Sequence, residues 1–440
     1  MGEILRLRTL GAGLVLAGLL SGCGLFGSDE ERLEGERVRI RDQQARGGLQ
    51  FSGAAPPIPE ARQNADWTQT NGRASHASGH LAGPASLSET WRADAGSSGS
   101  EDAQITSAPV IAGGRVFTLD AASQLSAFDA GSGSVAWRTD LAPAGEDGED
   151  GFGGGLAAEG GMVFATTGFG EALAVNAASG EIAWRTSAGA PFRAAPAVAQ
   201  GVVIGVTRDN RAIAFSAQTG DVVWRLDGIS GQAGLLGGAS PAIQGGLVVL
   251  PFGSGEIIGA SANRGRRIWN AVLGGARRGL ARASISDVTG DPVIAGRAVV
   301  AANQSGRIVA IDGQTGQRGW TRSVGSIGPI WAAGQSLFLV SDQNVLMRLA
   351  LQNGATIWET ELPSFEDPED REDPIAYSGP VLAGGQLLVT DSLGNLLSFD
   401  PASGQQGGTT ELASGTTNGV AVAGGTVFVL TGNGTLQAFR

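Results

Sequence analysis

The sequence predicts an all-β protein, an eight-bladed β-propeller built from four-stranded antiparallel blades. One short phrase returns about every 45 residues, which is the period of a propeller blade. Short strands separated by Gly-rich turns fill each interval, and the two ends of the chain carry complementary parts of one further blade. Together these three observations indicate the number of blades as well as the class of fold.

The repeated phrase ends with a turn glycine and, four residues later, a tryptophan. In one copy Asp312 ends an apolar run, Gly316 follows after four residues, and Trp320 follows after four more. A tryptophan that recurs at one position of every blade is expected to pack between blades rather than to form a ligand cage. One copy has Gly408 in place of the tryptophan. The seven tryptophans expected to dock one blade on the next are Trp91, Trp137, Trp184, Trp224, Trp269, Trp320 and Trp358.

Each interval contains four apolar segments of strand length. In the first, residues 108–112, 115–119, 125–129 and 134–137 alternate with turns, and a Gly-Gly pair joins the first two segments. Such a pair suits a two-residue hairpin that needs positive φ at both positions. Val, Ile and Phe favour strands, and the turns leave no window long enough for a helix. The unit is therefore a four-stranded antiparallel meander.

The two ends of the chain supply the two parts of one blade. Residues 419–423, 426–430 and 436–439 form three strands, and the sequence stops at Arg440 before a fourth. The missing strand, 86–92, lies near the other end. We expect this N-terminal strand to complete the last blade and close the ring, which removes the edges of an open array. The predicted domains are a signal peptide at 1–22, a lipidated flexible tether at 23–65 and the propeller at 66–440.

The N-terminus has the form of a bacterial lipoprotein signal. Arg6 and Arg8 precede an apolar run at 10–20 that is too short to span a bilayer. The following Leu-Ser-Gly-Cys23 resembles a lipobox, after which the new N-terminal cysteine is acylated. Cys23 is the only cysteine, so it has no disulfide partner within the chain. An ordinary cleavage site with an incidental cysteine is the alternative. Gly24 rather than Asp follows the cysteine, which indicates lipid anchoring at the periplasmic face of the outer membrane.

Charge and composition exclude some partners. The formal net charge is −12, so direct binding to nucleic acid is not expected. His76 and His80 lie among Gly and Ser residues that indicate a loop, and no cysteine or second histidine pair completes a metal site. The acidic insertions 145–155 and 364–374 are interpreted as solvated loops. Calcium is the alternative, although both insertions lack the ligand spacing of an EF-hand, so no metal site is predicted.

The repeats resemble those of propellers related to pyrroloquinoline quinone dehydrogenases. The segment from Asp312 to Trp320 has the pattern Asp-x-x-Thr-Gly-x-x-x-Trp. With the lipobox, the tether and eight blades, residues 66–440 resemble the BamB family, lipoproteins of the outer-membrane β-barrel assembly machine. The resemblance implies a non-catalytic scaffold, monomeric within a complex, that binds the periplasmic domains of BamA and assists assembly and insertion of outer-membrane proteins. It implies unfolded outer-membrane proteins as further partners.

The resemblance also implies a partner-binding region in two loops. In BamB proteins one loop carries two Asp residues; Asp287 matches the first, Thr289 stands at the second, and Asp291 is nearby. The other loop carries Leu-x-Leu-Arg, here represented by Leu235 followed by Leu236 in place of Arg. Independently of the resemblance, the arginines near Asp287 form a basic patch that suits an acidic partner; solvated side chains are the alternative. The predicted partner-binding residues are Leu235, Leu236, Asp287, Asp291 and Arg278, the last from a patch that includes Arg277 and Arg282.

An enzyme is a less favoured interpretation. Quinoprotein dehydrogenases of this fold use an adjacent cysteine pair, a calcium site and an Asp base, whereas this sequence has one cysteine. We identify no nucleophile with an adjacent base, and a shared fold does not bring its chemistry. No catalytic residue and no cofactor are therefore predicted. The main alternative to an assembly scaffold is an envelope propeller that binds another protein or a cell-wall glycan.

Overall fold

Eight four-stranded antiparallel sheets make up the structure. A computed structural model describes residues 49–100, 103–151, 153–230, 237–274 and 287–440. In seven of these sheets the strands lie side by side in chain order, and the eighth takes its outer strand from the N-terminal side of the chain. This arrangement is an eight-bladed propeller, so the predicted fold class is confirmed.

Each of blades 1 to 7, numbered in chain order, runs from an inner strand at the axis to an outer strand at the rim. Strand β1 (Glu89–Asp94) precedes them. The strands are, in blade 1, β2–β5 (Val110–Ala112, Arg115–Leu119, Gln124–Asp129, Val135–Asp140); in blade 2, β6–β9 (Gly154–Glu159, Met162–Thr167, Glu171–Asn176, Ile182–Ser187); in blade 3, β10–β13 (Ala197–Ala199, Val202–Val206, Arg211–Ser216, Val222–Asp227); in blade 4, β14–β17 (Ala242–Gln244, Leu247–Pro251, Glu256–Ser261, Arg267–Val272); in blade 5, β18–β21 (Val288–Ala295, Ala298–Asn303, Arg307–Asp312, Arg318–Arg322); in blade 6, β22–β25 (Trp331–Ala333, Ser336–Val340, Val345–Ala350, Thr356–Glu361); in a hairpin between blades 6 and 7, β26–β27 (Phe365–Asp367, Glu372–Pro374); in blade 7, β28–β31 (Tyr377–Ala383, Gln386–Asp391, Asn395–Phe399, Gln406–Glu411); and in blade 8, β32–β34 (Val420–Ala423, Thr426–Leu430, Thr435–Phe439).

Blade 8 closes the ring by joining the two sides of the chain. Strand β1 pairs antiparallel with β34, with Trp91 opposite Ala438 and Asp94 opposite Thr435. The sheet order is therefore β1-β34-β33-β32. The predicted closure by an N-terminal strand is confirmed, and the ring contains no incomplete blade.

Burial differs between the strands of one blade. All five residues of Val202–Val206, a second strand, are buried. The outer strand Val135–Asp140 alternates instead, and its Trp137 is partly buried. Apolar side chains fill the spaces between neighbouring blades; one cluster joins Leu125 of blade 1 to Leu156 of blade 2. The hydrophobic core is thus divided among the interfaces between blades.

The segment 62–82, which we call the belt, passes around the axis and hydrogen-bonds to successive blades. Trp67 and Ile111 of blade 1 exchange backbone hydrogen bonds of 2.8 and 2.7 Å. Because the contacts fall near the ends of the inner strands, the belt closes that end of the axial channel. In chain order from blade 8, the remaining pairs are Asn64 with Gly424, Thr68 with Ala158, Gln69 with Val198, Ala74 with Ile243, Ser75 with Ile294, Gly79 with Trp331, and Leu81 with Leu382.

Aromatic and imidazole rings fix the belt in place. Trp67 is 2% exposed and stacks on Trp331 of blade 6, with ring centroids 5.9 Å apart. Nε2 of His80 accepts a hydrogen bond from the Gly385 N–H at 3.0 Å, so Nδ1 carries the proton and donates to the Pro59 carbonyl at 2.7 Å. The sequence indicated a loop packed on the ring in this region. It did not predict that the loop contacts every blade.

The chain between Leu49 and the belt also lies on the propeller. The Phe51 N–H donates to the Thr356 carbonyl at 2.9 Å, and the Thr356 N–H donates to the Leu49 carbonyl at 2.8 Å. A Cβ atom at Gly334 would lie 2.9 Å from the ring of Pro59. The predicted tether, 23–65, therefore includes residues that are not free: the chain near Leu49 and Phe51 forms backbone hydrogen bonds with blade 6. The polar composition of this segment gave no indication of these bonds.

Prolines reduce the number of unpaired backbone N–H groups at the inner edges of the blades. Six blades have a proline within the inner strand or in the two residues before it, and proline has no N–H to leave unpaired in the channel. Within the described ranges the helical turns are two 3-10 turns, Thr70–Gly72 and Gly148–Gly151, and no helix is long and apolar enough to cross a bilayer. The prolines are Pro109, Pro196, Pro241, Pro292, Pro329 and Pro380.

Candidate functional site

The axial channel forms a cavity of about 260 Å³ on the side away from the belt contacts. Its wall comes from the beginnings of the inner strands of all eight blades, and Gln69, Thr70 and Asn71 of the belt form its floor. Loops on a rigid ring can vary around such a point without disturbing the sheets. Residues of the wall, from blade 1 to blade 8, include Val110, Gly154, Arg193, Ser240, Asp291, Ile327, Ser378 and Asn418.

Asp291 joins the wall of the cavity to its floor. The carboxylate accepts hydrogen bonds from the Ser240 N–H at 2.8 Å and from Asn71 Nδ2 at 3.1 Å. Burial raises the pKa of Asp291, and His76 together with these two hydrogen bonds opposes that rise. Burial lowers the pKa of His76, whose Nδ1 donates to the Pro292 carbonyl at 2.8 Å. Asp291 thus has a structural role, and its contact with a partner stays a prediction.

Asp287 forms an ion pair with Arg193 in the interior. Asp287 is 0% exposed and Arg193 is 5% exposed, and Nη2 of Arg193 donates to Oδ1 of Asp287. The pair links the connection before β10 to the start of β18, so it spans blade 4. Gly238 packs on the guanidinium, since a Cβ atom there would lie 1.9 Å from Nε. In this arrangement Asp287 does not reach the surface and can influence a partner only through the loop that it holds.

Arg193 and Asn71 are site residues that the sequence did not reveal. Arg193 lies in a connection outside the repeat, and Asn71 lies in the belt, where no periodic pattern marks a side chain for the cavity. The only indication of a functional role in the sequence was that these two residues are polar and stand among Gly, Ser and Ala. They indicate a loop and give no information on which blade the loop contacts.

Four of the predicted functional residues lie outside the described part of the chain. Cys23 is one of them. The other three belong to the stretches 231–236 and 275–286, whose described flanks can be located. Gly237 and Thr289, from these flanks, line the cavity. The three residues are Leu235, Leu236 and Arg278.

The outer-strand tryptophans dock on the following blade. Trp137 donates its indole N–H to the Ala177 carbonyl at 3.1 Å, and a Cβ atom at Gly180 would lie 2.7 Å from its ring. This explains the spacing of the repeated phrase, because the turn glycine receives the tryptophan of the preceding blade. The other indole donors and carbonyl acceptors are Trp91 and Ala130, Trp184 and Ala217, Trp224 and Ala262, Trp269 and Gly313, Trp320 and Leu351, and Trp358 and Pro401.

The acidic insertions contain ordered local structure. Strands β26 and β27 pair in the second insertion, and Arg371 lies over the ring of Phe365 at 5.4 Å from its centroid. Among the residues that the structure describes, no group of three or more His, Cys, Asp or Glu side chains is arranged to hold a metal ion.

The residues present do not fit the quinone and calcium centre of dehydrogenases that share this fold. The sequence has no cysteine pair. Both carboxylate oxygens of Asp291 already accept hydrogen bonds, and belt side chains form the cavity floor. Among its described residues, the cavity therefore offers no ligand set that fits such a centre.

These features define a class of protein, the eight-bladed propeller with quinoprotein-type repeats whose loops surround an axial cavity closed on one side. A family model described as "Outer membrane protein assembly factor BamB" matches residues 82–148 and 121–360, which together span more than half of the chain. The chain belongs to this family.

Individual relatives are more distant. A curated protein named outer membrane protein assembly factor BamB, from Alkalilimnicola ehrlichii, is 28% identical over 170 residues. This alignment covers 39% of the present chain and 42% of the relative, so the chain spans less than half of the length of that protein.

Two solved structures share the fold. The crystal structure of BamB from Moraxella catarrhalis covers 81% of this chain and 100% of its own, with a TM-score of 0.68 and 17% identity. A europium-containing methanol dehydrogenase covers 86% of this chain and 98% of its own, with a TM-score of 0.66 and 14% identity. At these identities the likeness shows the fold alone, which an assembly factor and an enzyme have in common.

Proposed function

We propose that this protein is a non-catalytic scaffold lipoprotein of the outer-membrane β-barrel assembly machinery. In this proposal it binds the periplasmic domains of BamA and assists the assembly and insertion of outer-membrane proteins. Membership of the BamB family supports the class of function. The observation that carries the binding site is that Gly237 and Thr289, described residues that follow stretches 231–236 and 275–286 in the chain, both line the axial cavity.

Exposed apolar side chains on the cavity side support a protein partner. Ile327 lines the cavity and is 54% exposed, and Ile229, just before stretch 231–236, is 57% exposed. Leu235 and Leu236 add apolar groups, and Arg278 adds a positive charge. Apolar anchors rimmed by polar groups are typical of protein interfaces. The buried pair of Arg193 and Asp287 would hold the chain directly after the second stretch, from which Arg278 is proposed to contact BamA.

The anchor in this proposal is a lipid on Cys23 at the periplasmic face of the outer membrane. The 25 residues between Cys23 and Leu49 would reach about 30 Å as a flexible coil. Replacing Cys23 with Ser should release the protein from the membrane fraction and remove the mass of the acyl chains from its N-terminal peptide. An acylated N-terminal peptide in the Cys23→Ser variant would contradict the anchor.

Calorimetry tests the partner. Residues 24–440 are titrated with the periplasmic domains of BamA from the same organism, and saturable binding is expected. The Leu235→Ala/Leu236→Ala variant and the Ile327→Ala variant should each bind at least about tenfold more weakly, the loss typical of a buried apolar anchor. Their thermal unfolding should match that of the parent protein.

Val135→Ala is the matched control, because Val135 is 51% exposed on an outer strand away from the cavity. It should bind like the parent. Equal affinity of all four proteins would remove the cavity face from the proposed interface. No binding at micromolar concentrations would instead favour the envelope propeller with a different protein or glycan partner.

A further inference from the structure

The outer strand of blade 7, β31, differs from the other seven outer strands. Gly408 stands where the others have tryptophan, and residues 406–409 and 411 are all exposed. Glu411 lies at the end of β31, but the six residues 405–410, from three before the tryptophan position to two after it, carry no charge. The equivalent six residues of every other outer strand include at least one charged residue. Charged side chains on an edge strand discourage the addition of a foreign strand. Blade 7 therefore has the least protected outer edge by composition.

The missing tryptophan has a geometric cause. Elsewhere the following blade provides a turn between its third and outer strands, whose carbonyl accepts the indole N–H. Blade 8 has no such turn, because β34 ends at Phe439 and the outer strand β1 comes from the other side of the chain. A Cβ atom on Gly408 would meet only Ser398 Oγ within 4 Å, at 3.5 Å. Space for a side chain is therefore present beside β31.

The contact between blades 7 and 8 also lacks the arginine that protects some other outer strands, although Asn433 of blade 8 donates to the Ala413 carbonyl beyond the end of β31 at 3.3 Å. In three other pairs of blades an arginine crosses from one blade to a carbonyl near the end of the preceding outer strand. In blade 8 Glu89 occupies the position of two of these arginines, two residues before the tryptophan, and pairs with Arg92 on its own strand at 2.6 Å. The three crossing bonds are Arg138 to Asp94, Arg267 to Asp227 and Arg318 to Val272.

We propose that β31 is a docking edge to which an extended, uncharged segment of another polypeptide adds as a fifth strand of blade 7. An edge strand offers backbone N–H and C=O groups to such a segment, and the glycines 407 and 408 allow its backbone to approach closely. An aromatic side chain of the segment would occupy the space beside Gly408. Unfolded strands of outer-membrane barrels have this chemistry, since they alternate apolar and polar residues and carry aromatic girdles. The choice of this partner class rests on the proposed function, whereas the choice of edge rests on blade 7 itself.

The test uses residues 24–440 and a fluorescent synthetic peptide of alternating valine and threonine with one central tryptophan. We expect saturable binding, with amide hydrogen exchange slowed at 406–411 and unchanged in the outer strands of blades 1 and 2. Gly407→Lys should weaken binding at least about tenfold by placing a charge on the edge. The φ of Gly407 is not positive, and a Cβ atom there would make an ordinary contact with Ser398 Oγ at 3.4 Å. Thr409→Lys is the second variant and should act in the same way.

Ala183→Lys is the matched control, because Ala183 is exposed at the equivalent position before the tryptophan of blade 2. It should bind the peptide like the parent. Protection spread evenly over the outer strands, or equal binding by all variants, would overturn the proposal. Protection of 406–411 that grows with protein concentration in the absence of peptide would assign the edge to a second copy and also overturn it.

The same variants separate this inference from the proposed function. Gly407→Lys should leave the affinity for BamA periplasmic domains unchanged, because β31 lies at the rim and the proposed BamA site surrounds the axis. Loss of BamA binding with intact peptide binding would affect only the proposed function. Intact BamA binding without peptide protection would affect only the docking edge.

Discussion

The inner and outer edges of the blades are protected in different ways. At the axis, one continuous segment hydrogen-bonds to every blade, and prolines remove further donors. At the rim, separate charged side chains such as Arg138 and Arg318 cover single carbonyls. The inner arrangement ties eight blades together, whereas the outer one leaves each strand accessible. One segment therefore contacts all eight blades at the axis, and the capacity to accept another strand remains at the rim.

Of the changes that test this difference between axis and rim, removal of the belt should lower the free energy of unfolding most. A protein that begins at residue 83 loses the packing of Trp67 and the hydrogen bonds to eight blades, which together should cost at least about 5 kcal/mol of the free energy of unfolding. Thermal unfolding followed by circular dichroism should lose its single sharp transition. A protein that begins at Leu49 is the control and should unfold like residues 24–440. A sharp, unshifted transition without the belt would show that the ring is held by the blades alone.

Replacing an inner tryptophan should lower the free energy of unfolding more than replacing an outer one. Trp67 is 2% exposed, so Trp67→Ala should lower the free energy of unfolding by about 3–5 kcal/mol. Trp137 is only partly buried, and Trp137→Ala should cost about 1–2 kcal/mol through its hydrogen bond and ring packing. Urea denaturation measures both values. Equal losses would mean that the axis contributes no more than the rim.

Breaking an ion pair near the axis should also lower the free energy of unfolding more than breaking one near the rim. Asp287→Ala leaves Arg193 buried without its carboxylate and should cost about 3–5 kcal/mol. Arg185→Ala removes a pair with Glu171 of 2.8 Å near the rim of blade 2 and should cost less than about 1 kcal/mol. The double variant Arg193→Met/Asp287→Leu should recover part of the first loss. Urea denaturation of the three variants decides whether the inner pair is the more costly to break.

Acid should weaken the belt through His76. Burial lowers its pKa below the usual 6.5, so the unfolded chain binds this proton more readily than the folded protein. The resulting stability is complete above pH 6.5 and is lost as the pH falls below it, at no more than about 1.4 kcal/mol per pH unit for one proton. Burial raises the pKa of Asp291, so its contribution has the opposite sign and is lost as the pH rises through the folded-state pKa.

Denaturation at pH 7, 6 and 5 measures the histidine effect. The loss between pH 7 and 5 should be smaller in His76→Gln, while Asp291→Asn serves as the control that removes the opposing carboxylate. An identical slope in the parent and in His76→Gln would assign the acid sensitivity to other groups.

Gly408→Trp should have the smallest effect. Blade 8 has no turn to accept the indole, so the free energy of unfolding should change by less than about 0.5 kcal/mol, as for an ordinary surface substitution. A gain comparable to the loss in Trp137→Ala would show that another acceptor is present and would weaken the geometric explanation of this glycine. Denaturation of the single variant is sufficient to decide.

The propeller itself could be predicted because its information is local and repeated. Gly-Gly turns, alternating strands and the spacing from Gly316 to Trp320 recur in successive blades, and the incomplete last blade identified β1 as its partner. The belt could not be predicted in the same way, because its hydrogen bonds join small and polar residues to positions far along the chain. Asn64 and Val422, for example, are 358 residues apart. Local patterns indicate a loop there but do not identify the surface that receives it.

The candidate site shows the same limit. The loops were predicted from resemblance, and Gly237 and Thr289, which follow the two undescribed stretches in the chain, line the cavity. The interior position of Asp287 was not predicted, because Arg193 precedes it by 94 residues and belongs to a connection without a repeat. A carboxylate in a loop suggests exposure until its partner is known.

The closure by β1 and the belt has a consequence for the order of folding. Early residues bond to the last ones: Thr90 donates to the carbonyl of Ala438, 348 positions later. Contacts of such high sequence separation form slowly, since a long loop must close before they contribute. The belt is made first but can settle only after all eight inner strands exist. A chain that ends a dozen residues before Arg440 would lack β34, leave β1 without a partner and remain open. The architecture itself therefore distinguishes chains that contain β34 from chains that lack it.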